Sequence, residues 1–164
     1  MSKIVWLQEL INRYALYLGS IPALVTRVII GIGFYYTGRG KLGNIEGVIE
    51  YFKSLNIPFP ELQAPFVARV EYYGGILLVL GLFGRPVAAM LASTMVVALM
   101  TADKADFLAT LTWDDKVPTD ITAFAYLLLL GWVVCYGSGV FSLDKLGAWV
   151  MRKKFSPPSD AQAP

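Results

Sequence analysis

Residues 121–143 read ITAFAYLLLLGWVVCYGSGVFSL, 23 positions without one charged side chain. A helix needs about 20 mainly apolar residues to cross the hydrocarbon core of a bilayer, so this run reads as a membrane span. Residues 86–102 form a second uncharged run of 17 positions. Two further apolar runs, 22–38 and 66–84, are interrupted by Arg27 and by Arg69 and Glu71. The composition points the same way. Of the 164 residues, 56% are apolar and 16% charged, against about 25% charged in soluble domains, and the mean hydropathy is +0.57. We expect an all-α protein: an integral membrane four-helix bundle with spans at about 22–38, 66–84, 86–102 and 121–143, in a single domain of residues 1–150. In the alternative the two weaker runs are core helices of a soluble bundle, but the two clean runs already call for lipid.

The residues that are missing exclude whole classes of chemistry. The chain has no histidine, which removes haem ligation by imidazole, His-based zinc sites and His general bases. Its single cysteine, Cys135, allows neither an internal disulfide nor a C-x-x-C redox pair. A formal charge of +2, scattered along the chain, does not suggest nucleic-acid binding. Asp103, Lys104, Asp106, Asp114, Asp115 and Asp120 read as a solvated acidic loop rather than a metal site, so neither metal nor haem is expected.

The connections suit the spans. Gly84-Arg85-Pro86 is a tight reversal in which Gly ends one helix and Pro starts the next. Residues 103–119 read as a polar loop containing Trp113. Residues 44–55 form a short helix, with Asn44 as N-cap and Glu46 near its positive end. Ile45, Val48, Ile49 and Phe52 share one face of it, which would lay it flat at the membrane interface, and Pro58 and Pro60 would end it. Ile4, Leu7, Ile11, Tyr14 and Leu18 make an amphipathic stripe, read as an N-terminal in-plane helix that turns into the first span at Pro22. Residues 151–164 are basic and then rich in Pro, Ser and Ala, a disordered tail. Four spans place both termini on one side. That side holds seven Lys/Arg against five on the other, and the positive-inside rule makes it cytoplasmic.

Ionisable residues inside a span are costly and mark function or pairing. Arg27 shares a helix face with Gly31, Phe34, Gly38 and Lys41. Glu71 shares one with Gly75, Leu78 and Arg85, while Arg69 points the other way, about 160° round the helix. Spans one and two are antiparallel, which brings Glu71 level with Lys41 and leaves Arg27 about 21 Å away along the axis. A Lys41–Glu71 pair near the outer face follows, joined by Arg39. It is either a proton-handling site with a partly desolvated carboxylate or an ion pair that fixes helix register. Arg27 has a plain alternative in snorkelling to the headgroups. Tyr35, Tyr36, Tyr72 and Tyr73 line a ring-shaped pocket or form an aromatic belt. Gly31 and Gly38, like Gly74 and Gly81, let helices approach closely.

Two of these stretches carry a family resemblance. Arg27-Val-Ile-Ile-Gly31-Ile-Gly-Phe34, continued by Gly38 and Lys41-Leu42, resembles the first-helix pattern of the DoxX family. Glu71-Tyr-Tyr-Gly74-Gly75 through Gly81-Leu82, followed by Arg85, resembles its second. The segment Leu55 to Pro60 is similar to that family's first outer loop. The resemblance covers about Arg27 to Met100. It implies a four-helix protein of the bacterial inner membrane, related to the DoxD-type membrane subunit of a thiosulfate:quinone oxidoreductase. It also implies a sulfur, thiol or oxidative-stress setting and a partner protein. This chain has no dithiol, so sulfur chemistry would have to come from that partner.

The expected function is therefore a membrane subunit of a quinone-linked redox system. Glu71 would handle protons beside Lys41 as the catalytic pair, and Arg27, Arg39, Tyr35 and Tyr72 would hold the quinone. If the chain is an enzyme, it is an oxidoreductase subunit that depends on its partner or on a homo-oligomer. The alternative is a non-catalytic membrane anchor or assembly subunit. A transporter ranks below both, because neither a broken-helix pair nor an inverted repeat is visible.

Overall fold

The computed structural model describes residues 2–111, 117–137, 139, 142–145 and 147–148, with backbone only for 2–5, 7–19 and 111. Every regular element among them is helical: α1 (Ser2–Gly43), α2 (Ile45–Ser54), α3 (Pro60–Leu80), α4 (Gly84–Met100), α5 (Lys104–Leu111), a 3-10 turn (Pro118–Asp120) and α6 (Thr122–Tyr136). Trp113, Asp114, Asp115, the basic run at 152–154 and the whole tail 151–164 lie outside the described residues, as do the side chains of the stripe from Ile4 to Leu18.

Two helix pairs organise the molecule. α1 packs chiefly on α3 and α4 chiefly on α6, and α3–α4 contact joins the pairs. The first seam is made of glycine. A Cβ on Gly31 would stand 2.8 Å from the Gly75 carbonyl oxygen, and one on Gly75 would stand 2.6 Å from that of Gly31. At Gly38 it would overlap the backbone of Tyr72. Gly74 instead faces Leu91 of α4. The core between the pairs is Ile30, Phe34, Leu78, Leu91, Leu130 and Val133 with their neighbours, and the Phe34 and Tyr126 rings pack at 5.3 Å.

Several expected boundaries move, each for a local reason. α1 continues unbroken through Pro22, so no turn separates an N-terminal helix from the first apolar run. A proline inside a helix removes one donor and usually kinks it, but the helix can carry on beyond. The 103–119 segment is not an open loop, since α5 fills residues 104–111 and sits at 83° to α4. α3 ends at Gly81 (φ +70°) rather than at Gly84, and α4 starts after Phe83, itself left-handed at φ +50°. Within the 121–143 run α6 ends at Tyr136, where Gly137 at φ +81° caps it. α2 is the helix expected at 44–55: Asn44 Oδ1 accepts the Gly47 N–H at 3.3 Å. Its apolar face packs Phe52 against Ile57 and Ala64 at the start of α3.

By length and composition, Ser20–Gly43 is long and apolar enough to cross a membrane, and α4 with α5 qualifies only if the bent pair counts as one. α3 is 21 residues but carries Arg69 and Glu71; α6 has no charged residue but only 15 positions.

Candidate functional site

Where α1, α2, α3 and α4 meet, they leave a largely apolar cavity of about 560 Å³. α2 supplies Val48, Tyr51 and Phe52, α3 supplies Phe66 and Val67, and α4 supplies Met95 and Ala98. Lys41 from the end of α1 and Glu71 from the middle of α3 also line it. The glycine contact at Gly38 explains their meeting, because it sets the α1 backbone, one turn before Lys41, against the α3 backbone at Glu71 and Tyr72. Lys41 Nζ donates to Glu71 Oε1 at 2.6 Å.

The two partners sit in different surroundings. The Glu71 side chain is 2% exposed and that of Lys41 32%. The sequence reading placed the pair near the outer face; in the structure it is buried within the helix packing. Glu71 Oε2 is also buried and has no hydrogen-bond partner among the described residues. A buried acceptor left unmade costs about 1–3 kcal/mol, so the site holds unspent capacity to bind a donor.

The other expected site residues go elsewhere. Arg39 is exposed and joins no ion pair among the described residues, so it does not extend the Lys41–Glu71 pair. It lies two positions from Lys41, about 200° round the helix. Tyr35 and Tyr72 pack on one another at 5.2 Å, flanked by Tyr36 at 5.4 Å and Tyr73 at 5.1 Å. These four rings form a cluster of edge-on and tilted contacts on the α1–α3 pair and do not line the cavity.

Arg27 sits at the opposite end of the seam, 2% exposed. Gly81 makes room for it, since a Cβ there would stand 2.8 Å from Arg27 Nη1. Asp144 supplies the charge that opposes it. The Asp144 carboxylate also accepts the Phe83 N–H at 2.9 Å and the Gly84 N–H at 3.2 Å, capping α4 from beyond α6. Arg85 reaches across to α6 and donates to the Cys135 carbonyl at 3.3 Å.

Sequence reasoning missed the α4 wall of the cavity, where Ser93, Thr94 and Thr101 line it. Their signal was three hydroxyls within a run otherwise free of polar side chains. Among the described residues no cluster of Cys, Asp and Glu could hold a metal ion.

An all-helical chain with a buried Lys–Glu pair beneath an apolar cavity is thus the class of protein defined by fold and site. Comparison with known proteins gives the family. The DoxX pattern matches residues 23–104. The chain is 35% identical over 112 residues to "Putative oxidoreductase CatD" of Bacillus subtilis (strain 168), covering 68% of this chain and 74% of that protein. It is 34% identical over 67 residues to "Inner membrane protein YphA" of Escherichia coli (strain K12), covering 41% of this chain and 48% of that protein. The chain belongs to the DoxX family. No solved structure matches it.

Proposed function

We propose that this chain is a membrane-embedded four-helix bundle of the bacterial cell membrane, with both termini cytoplasmic, and that it serves as a quinone-binding subunit of a redox system. The observation that carries the proposal is the Lys41–Glu71 pair at an apolar cavity, with Glu71 Oε2 unspent. The relatives' printed names, an oxidoreductase and an inner membrane protein, agree with it. α4 and α6 are short for a span at about 1.5 Å per residue. Flanking residues and local thinning of the bilayer would accommodate them at modest cost.

The residues present fit a quinone. A ring and the first part of an apolar tail suit a cavity walled by Tyr51, Phe52, Phe66 and Met95. Lys41 has three protons and spends one on Glu71, so it can hold a ring oxygen by a charge-assisted hydrogen bond. A bound quinone would supply two-electron, two-proton chemistry. Glu71 would hold or release a proton beside it, with Lys41 keeping the local charge balanced. Electrons would come from a partner protein.

The test is organic extraction of protein purified in mild detergent, with mass detection of quinone, wild type beside Glu71→Gln. The proposal expects near-stoichiometric quinone that falls in the variant. No enriched quinone in either sample would overturn it and leave the anchoring role as the better reading.

A further inference from the structure

At the end of the bundle opposite the Lys41–Glu71 pair, the α3–α4 turn, the end of α6 and the residues after it border an open cleft of about 720 Å³. Its charged lining is Arg85, Asp144 and Lys145. Asp144 is already committed: its carboxylate accepts the Phe83 and Gly84 N–H groups, and Arg27 opposes its charge. Arg85 and Lys145 join no ion pair among the described residues. Two cations therefore line the cleft without a counter-charge of their own.

Arg85 is held in place by its tip. Nη2 donates to the Cys135 carbonyl at 3.3 Å, at the C-terminal end of α6, where a cation is favoured. Its backbone lies in the first turn of α4, which carries no acid, although a helix N-terminus favours an anion. A guanidinium has five N–H donors in a planar fork that matches phosphate. The others make no hydrogen bond among the described residues. The rim of the cleft is aromatic. Phe83 and Tyr136 line it, each 68% exposed, and Trp132 stacks on Tyr136 at 4.1 Å. Tyr and Trp at helix ends gather at the headgroup level of a bilayer. Beside the rim, α4 exposes Pro86 and Met90 on one face, and α6 exposes Leu129 and Trp132 on another.

We propose that this cleft holds the phosphate of an anionic phospholipid between Arg85 and Lys145, with the acyl chains lying along those apolar faces. Basic pockets between membrane helices suit such headgroups. The proposal goes beyond the quinone reading and needs only the bilayer setting, so its failure leaves the Lys41–Glu71 site untouched.

The test measures dissociation constants by calorimetry for the full chain, purified in mild detergent and stripped of lipid. The probes are dilauroyl phosphatidylglycerol, phosphatidylcholine with the same chains, and inorganic phosphate. Phosphatidylglycerol should bind about tenfold more tightly than phosphatidylcholine, because each cation at headgroup level adds to the attraction. Arg85→Gln/Lys145→Gln should abolish that preference. Lys53→Gln/Lys104→Gln, which removes the same charge from the other end of the helices, should keep it. Arg85→Gln also unfastens the end of α6, so Lys145→Gln carries the test if the double variant fails to fold. The Lys145 side chain is exposed and makes no hydrogen bond among the described residues. Its loss alone should weaken phosphatidylglycerol severalfold and leave phosphatidylcholine unchanged. Equal affinity for the two lipids in the wild type overturns the proposal. So does an equal loss in Lys53→Gln/Lys104→Gln, because net charge alone would then explain the binding. Inorganic phosphate as tight as phosphatidylglycerol, and lost in the same variants, overturns the lipid as the source of the phosphate.

Discussion

The α1–α3 seam buries a charge at each end, and the two ends treat it differently. At one end Glu71 meets a cation from the neighbouring helix and keeps an unspent oxygen beside a cavity. At the other, Arg27 is packed under Gly81 and opposed by Asp144, which also caps α4 and ties the α3–α4 turn to the segment after α6. Both charges are 2% exposed. Burial alone therefore does not separate a binding site from a structural fastening. What distinguishes the first end is that its charged pair lines a largely apolar cavity, while the second spends its charge on holding chain segments together.

Alanine at Gly38 and at Gly81 should break the two ends unequally. At Gly38 the new methyl meets the backbone of Tyr72, which cannot move without parting the helices. Overpacking costs about 1–3 kcal/mol and occasionally more, and an obstacle made of backbone puts this substitution at or above the top of that range. At Gly81 the nearest atoms are the far end of the Arg27 side chain and Ser142 Cβ at 2.9 Å, none of them helix backbone, and the φ of +70° adds its own penalty. A left-handed non-glycine residue costs roughly 1–2 kcal/mol. Thermal unfolding in detergent should rank Gly38→Ala well below Gly81→Ala. The reverse order would mean that the Arg27 end is the more rigid.

Removing the partner of each charge gives a smaller and more diagnostic contrast. Lys41→Ala leaves Glu71 buried without its cation, and breaking a buried pair costs about 3–5 kcal/mol. The partial exposure of Lys41 puts the expectation at the lower bound. The double variant Lys41→Ala/Glu71→Gln should recover part of that loss, because the uncompensated charge is gone. Asp144→Ala removes a cap from α4, worth about 1 kcal/mol, and also the charge opposing Arg27. If Asp144→Ala destabilised as much as Lys41→Ala, the distinction between site and fastening would collapse.

How much of this was legible in the sequence follows from the range of each contact. The juxtaposition of Lys41 and Glu71 needs only two antiparallel helices and a residue count, and both are in the pattern from Arg27 to Gly81. α2 was legible because Asn44, Glu46 and a clear apolar face are local signals. The cavity was not, because it depends on α2 folding beside both α3 and α4, and no single periodicity records a meeting of four helices. Asp144 escaped notice because it follows a 23-residue apolar run. Its role appears only once α6 is seen to stop at Gly137. Gly137 and Gly139, both at positive φ, were the available hint. Gly81 was read as a packing glycine, although its work is to turn the chain and to admit Arg27.

The smallest expected effect concerns the link from α2 to α3, where Lys53 Nζ and Glu61 Oε1 lie 2.8 Å apart on the surface. A hydrogen bond from Lys53 holds the Glu61 carboxyl below its ordinary range, helped by a hydrogen bond from the backbone. A carboxyl with a lowered folded-state value stabilises the protein above its unfolded value and loses that contribution as pH falls through the folded one. Glu61→Gln should therefore lower the unfolding midpoint slightly at neutral pH and leave it unchanged in acid, where the wild-type carboxyl is protonated too. Both groups are exposed, so added salt should shrink the neutral-pH difference. The Glu71 carboxylate is 2% exposed, so the cost of Lys41→Ala should survive the same salt better than that of Glu61→Gln. If salt erased both differences equally, Glu71 would be in contact with water, and its oxygen would not be held in reserve for a ligand.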